Sequence, residues 1–287
     1  MPFIDSKKLN TYRRQTYHTH PNLRVHTRDQ AVEYVGERGF VHFWPIKDIE
    51  LPSLWGAVAG DRPVADAHDD PGHVTWGWKD SLLGSKQWYY AKVLRKKATM
   101  ISPDMVPYFY ALSENYGAPE EDYLTIYEQG RLTLEARQVY EALLYEGALD
   151  TIDLRKATHM TNRESDSRFN RALIDLQVDF RILPVGVSQA GRWHYAFIYD
   201  VVHRCYPELI EAAHPISEKA ARQAVLETYF RSVGAAQLRD VVLLFGWSRR
   251  EAERALDAMV QTGMLVPGAA WDGKKGDWLG IPDVIGI

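Results

Sequence analysis

The stretch that decides the fold runs from residue 132 to residue 199. A helix is predicted over Leu132 to Gly147, and a short one starts at Asp150-Thr151. A third runs from Glu164 to Val178. A two-stranded ribbon follows. It sets Phe180-Arg181-Ile182-Leu183-Pro184-Val185-Gly186-Val187 against Arg192-Trp193-His194-Tyr195-Ala196-Phe197-Ile198-Tyr199, across a turn at Ser188-Gln189-Ala190-Gly191. Three helices closed by a β-ribbon form a winged helix-turn-helix, a unit whose usual work is gripping a nucleic-acid duplex. The pattern names a partner and leaves the reaction open.

Working outward, two weaker copies come into view. Downstream, Ser217-Glu218 opens a helix to about Arg231, and Gly234-Ala235-Ala236-Gln237 introduces a second to Phe245. Ser248-Arg249-Arg250-Glu251 is a capping box for a third helix ending at Gly263. Met264 to Pro267 and Trp278 to Ile281 make a ribbon around residues 272–276. Upstream, Thr27-Arg28-Asp29-Gln30 caps a helix to Arg38. Leu51 to Ala59 is a second helix and Trp76 to Leu83 a third. Trp88 to Leu94 would pair with Ala98 to Ser102 across Arg95-Lys96-Lys97. Pro103 to Gly117 reads as a linking helix.

The expectation is therefore a mainly α protein with small β-ribbons (α+β), built from three tandem winged units. They span 1–117 (with an N-terminal arm and the linking helix), 118–207 and 208–287.

A chain of 287 residues, 46% hydrophobic and 25% charged, has the composition of a folded globular protein. The longest apolar runs, such as Val241 to Phe245, are too short for a bilayer, and Met1 to Ser6 does not read as a signal peptide. A single cysteine, Cys205, excludes an internal disulfide and a multi-cysteine metal site, and fits a reducing cytoplasm.

The net charge of −4 argues against indiscriminate coating of DNA, but phosphate contacts come from local patches. Lys86, Lys92, Arg95, Lys96 and Lys97 stand in a stretch with no acidic residue. Lys7, Lys8, Arg13, Arg14, Arg24 and Arg28 face Asp5 alone within the first 28 residues. Pro119-Glu120-Glu121-Asp122 reads as solvated acidic surface.

For DNA contact, Asn162, Arg163, Arg168 and Arg171 stand at the start of the central third helix. Those side-chain types reach base edges or phosphates, although Phe169, Leu173 and Leu176 form a core stripe and the arginines have carboxylates within reach. Lys79, Lys92, Arg95, Lys96, Lys97 and Arg192 complete the expected nucleic-acid set. Trp76, Trp78, Trp88 and Trp193 read either as core or as aromatics that hold a base.

The order of units resembles the AlkZ/YcaQ-type DNA glycosylases, which unhook interstrand crosslinks by excising N7-alkylated purines. The segments Trp76-Gly77-Trp78-Lys79-Asp80-Ser81-Leu82-Leu83, Leu132-Thr133-Leu134-Glu135-Ala136-Arg137 and Phe245-Gly246-Trp247 carry the resemblance. It implies tandem winged helices around a DNA channel and a role in DNA repair. That family's catalytic signature is Gln-hydrophobic-Gln or Gln-hydrophobic-Asp. The matching stretch here is Gly39-Phe40-Val41-His42-Phe43-Trp44, with His42 in place of the first Gln and Trp44 in place of the second polar residue. Members also commonly carry a C-terminal β-rich domain, for which residues 282–287 leave no room.

Excising an N7-alkylpurine needs a placed, partly deprotonated water, because the cationic base already leaves easily. His42 is a candidate for that work; Trp44 is not, since an indole only donates. Asp69 and Asp70, within Asp66-Ala67-His68-Asp69-Asp70-Pro71-Gly72-His73, are the candidate carboxylates. The same run is good turn chemistry, and it could also hold a divalent ion. His18-Thr19-His20 reads as part of an exposed arm.

No metal, small-molecule cofactor or membrane contact is expected. The leading expectation is a double-stranded DNA-binding repair protein with an altered catalytic motif. An active N7-alkylpurine glycosylase using His42 and a loop carboxylate stays open, as does a non-enzymatic winged-helix scaffold or transcriptional regulator.

Overall fold

The computed structural model describes residues 2–286 except Tyr116, Arg192, Trp193, Asp272, Gly273 and the side chain of Lys275. One element order occurs three times. The first unit is α2 (Arg28–Arg38), β2 (Phe40–His42), α3 (Leu54–Ala59), α4 (Val74–Ser81), β3 (Tyr89–Lys92) and β4 (Ala98–Ile101). The second is α7 (Leu134–Glu146), β5 (Leu149–Asp150), α8 (Thr151–Ala157), α9 (Asp166–Val178), β6 (Ile182–Ser188) and β7 (Ala196–Val201). The third is α12 (Glu218–Val233), β8 (Ala235–Ala236), α13 (Leu238–Phe245), α14 (Arg249–Gln261), β9 (Val266–Trp271) and β10 (Lys274–Gly280).

In each unit the last strand lies between the other two: β2-β4-β3 and β5-β7-β6 are separate three-stranded sheets, and β8-β10-β9 is part of a five-stranded one. Helix, strand, helix, helix, ribbon is the order of a winged helix. The class is mixed α+β with small antiparallel ribbons.

Caps set the helix starts. Thr27 and Gln30 close a reciprocal capping box on α2, and Ser248 and Glu251 do the same for α14. Asp150 accepts from the amides of Ile152 and Asp153, which starts α8. Gly39 ends α2 at a φ of 75° and turns the chain into β2. A Cβ there would stand 2.4 Å from the Thr228 methyl group, so α2 can approach α12 only with glycine at this position.

Several expected features are corrected. The central ribbon's second strand begins at Ala196, pairing Ser188 with Ala196 and Ile182 with Val201 around a bulge at Pro184–Gly186. Only Val106–Tyr110 (α5) of the expected linking helix is helical. In the acidic run 119–122, Glu120 and Glu121 are exposed as expected, and only Asp122 departs from a solvated surface. The run opens α6 (Pro119–Glu128), where negative charge suits the first turn, and Asp122 turns inward to accept the Ala118 amide.

Nor do the first residues form an arm. β1 (Phe3–Ile4) joins β9 and β11 (Ile285–Gly286), and α1 (Ser6–Thr16) buries Leu9 against the third unit. Arg13 donates to the Val233 and Ala235 carbonyls at 2.9 and 3.0 Å and pairs with Glu50 at 2.7 Å. That guanidinium is structural. His18 lies tilted against Tyr34 and faces Glu37 at 3.5 Å.

Two short helices, α10 (Val202–Cys205) and α11 (Leu209–Ala213), lead from the second unit to the third. The second unit has its own core around Tyr140, Phe169, Leu176 and Val201. A larger core runs through the junction, joining Phe40 and Tyr89 of the first unit to Phe180, Tyr229 and Leu244. Among the described residues, no helix is long and apolar enough to cross a membrane.

Candidate nucleic-acid interface

Strand β2 carries the position expected to do chemistry. His42 is paired in the sheet opposite Thr99 and is 0% exposed. Neither ring nitrogen has a hydrogen-bond partner among the described residues. Burial pushes its pKa down to about 4, against the opposing pull of the Ala98 carbonyl. The ring is therefore neutral near pH 7 and shut away from water. The next polar position of the family signature holds Trp44, half-buried among rings. Phe43 lies 4.6 Å away, His73 5.5 Å, and Trp55 and Trp76 each 6.2 Å.

The loop carboxylates are occupied elsewhere or exposed. Asp70 takes two hydrogen bonds from Arg62 at 2.6 and 2.9 Å and one from the Gly72 amide at 2.7 Å. The Arg62 bonds hold its carboxyl below the usual range. Arg62 in turn covers the Trp55 ring at 4.7 Å. Asp69 is exposed, and no hydrogen bond or ion pair joins Asp69 or Asp70 to His42 among the described residues. The loop is organised by turn chemistry. No group of three or more His, Cys, Asp or Glu among the described residues could hold a metal ion.

Helix α4 departs furthest from expectation. Lys79, expected on a phosphate, is 1% exposed. Its ammonium meets Asp80 at 2.7 Å and donates to the Tyr195 hydroxyl at 2.9 Å, and that hydroxyl also bonds Asp80. Five rings surround it: Trp76 and Phe197 at 4.5 and 4.6 Å, then Tyr90, Tyr195 and Phe43 at 5.4, 5.6 and 5.7 Å. Burial lowers its pKa while Asp80 pulls it back up. The signal that could have found this was helical spacing: Thr75, Lys79 and Leu82 lie on one face, and all three are buried.

The basic wing is partly engaged by neighbouring units. Arg95 and Lys96 adopt left-handed φ values of 55° and 57° and stay exposed at the junction between units. Arg95 donates to the Leu243 carbonyl at 3.3 Å, and Lys96 pairs with Asp175 of α9 at 2.6 Å. Both line a groove of about 630 Å³ with Phe109, Asp179, Phe180 and Trp247. Burial raises the Asp179 carboxyl there to about 6. Lys92 and Lys97 keep exposed side chains with no ion pair among the described residues.

On α9, Phe169, Leu173 and Leu176 face inward and leave a polar outer face. The Asn162 side chain accepts the Ser165 amide at 2.8 Å as a cap, and Arg168 pairs with Glu135 at 3.1 Å. Arg163 and Arg171 are exposed without an ion pair among the described residues. Arg192 and Trp193 lie outside the described residues.

The threefold order of helix, strand, helix, helix and ribbon, with a polar outer face on α9, has the layout of tandem winged helices. The chain belongs to the AlkZ-related family, whose family model matches residues 25–245. Its fold is similar to that of Streptomyces sahachiroi DNA glycosylase AlkZ. The TM-score is 0.55 at 12% identity, covering 98% of this chain and 71% of that one. No curated protein matches the chain.

Proposed function

We propose that the protein binds double-stranded DNA in repair of alkylated or crosslinked DNA, and holds the lesion without hydrolysing the glycosidic bond. The observation that carries this is the closed end of β2. A neutral His42 sealed from water and a Trp44 that can only donate leave nothing at that strand to hold and deprotonate a water. Glycosylase chemistry through His42 and a loop carboxylate gains no support from this geometry. Asp70 is bound to Arg62, and Asp69 has no link to the His42 ring. Among the described residues, Arg163, Arg171, Lys92 and Lys97 are exposed cations without an ion pair and are the candidates to meet phosphates.

The test is fluorescence anisotropy of plain and N7-methylated duplexes at several salt concentrations. Binding that weakens with salt is expected, tighter for the methylated duplex. Arg163→Ala, Arg171→Ala and Lys97→Ala should each lower the slope of log affinity against log salt by about one. No binding to either duplex at low salt would overturn the reading.

A further inference from the structure

Helix α4 is built inside out. It buries Lys79 and Thr75 while showing Val74 at 45% and Trp76 at 44% exposure. Both choices cost solvation free energy, so the arrangement needs a compensating use. Its local effect is to fix one indole. Beneath the Trp76 ring stands the Lys79 ammonium, 4.5 Å from its centre. Trp44, Phe43 and Tyr195 brace it at 6.2, 6.0 and 6.0 Å, and the residue stays 44% exposed. Tyr195 and Phe197 belong to the ribbon segment of the central unit, so the indole stands beside that unit's wing. Lys92 lies two residues from Tyr90 on the same face of β3 and offers an exposed cation for a phosphate.

We propose that Trp76, with Val74 beside it, is a wedge that stacks on a base of duplex DNA left without its stacking neighbour. This rests on the DNA-binding reading given above. A rigid, half-exposed ring loses little conformational freedom on stacking. The cation under it draws electron density inward, so its outer face suits a neutral base better than a positively charged alkylpurine. Lys79 and Asp80 are positioning residues that hold the ring upright. A duplex already interrupted in its stack removes the cost of opening it and is the preferred ligand.

The experiment compares anisotropy titrations of an intact duplex with those of the same duplex carrying one tetrahydrofuran abasic analogue. Wild type should bind the interrupted duplex about tenfold more tightly. Trp76→Leu should remove most of that preference and leave intact-duplex affinity unchanged, whereas Trp76→Phe should keep most of it. Val74→Ser should lose part of it, which keeps the test decisive if the leucine variant is unstable. Lys79→Met should bind the intact duplex normally with a reduced preference. Full preference in Trp76→Leu or in Val74→Ser overturns the wedge, as does a wild type that binds both duplexes equally. Failure to bind either duplex overturns the DNA-binding reading itself, a different outcome.

Discussion

Asp80→Ala should cost about 3 kcal/mol of unfolding free energy, several times more than Lys79→Met, although both break the same pair. The asymmetry follows from burial. Lys79 is sealed among five rings, so removing Asp80 strands an ammonium where neither water nor another carboxylate reaches it. Removing Lys79 leaves Asp80 beside the Tyr195 hydroxyl and partly open to solvent. A methionine of similar length fills the cage and makes sulfur–ring contacts, so about 1 kcal/mol or less is expected. Urea denaturation of both variants at neutral pH measures the contrast. Equal losses would mean that the pair contributes by contact alone and that desolvation of Lys79 is unimportant.

Between about pH 4 and 6, two single variants should shift the pH dependence of stability away from that of the wild type in opposite directions. His42 has a folded pKa of about 4 against an ordinary 6.5. As pH falls through that window the unfolded chain takes up a proton that the native chain refuses. Stability is lost on the order of 3 kcal/mol. Asp179 is raised to about 6 from 3.8. As pH rises, the unfolded chain releases a proton that the native chain keeps, so stability falls on the order of 2–3 kcal/mol in the other direction.

His42→Leu removes the first effect, so relative to wild type its stability should fall as pH rises from about 4 to 6. Asp179→Asn removes the second and, relative to wild type, should lose stability as pH falls through the same range. Thermal midpoints across that range check both. Variants that track the wild type would show that neither group is shielded as its position implies.

What was legible in the sequence was local. Thr27 with Gln30, Ser248 with Glu251, Asp150 and Ser217 are caps whose partners lie three residues away or fewer, so helix starts were readable from spacing. The two-residue β5 was not, because its register is set by Tyr199 and Ile198, far along the chain. The same holds for α1, whose Arg13 finds its acceptors in the third unit.

At the site, the strand bearing His42 and Trp44 was found by resemblance, but which side chain would face water was not. Lys79 is a basic residue on a short helix, and nothing beside it in sequence says that Tyr195 and Phe197 of another unit will close over it. Likewise the charges of Arg95 and Lys96 read as a free wing because Leu243 and Asp175, which hold them, belong to other units. Tertiary partners, not local pattern, decided which cations are buried or paired.

The central claim is that a lesion-bearing duplex is held and left intact. It is tested most directly by quantifying free 7-methylguanine from an N7-methylated duplex under saturating protein, with anisotropy confirming that the duplex is bound. The account predicts release no faster than from duplex alone. Accelerated release that disappears in His42→Ala would contradict it and make the sealed histidine catalytic after all.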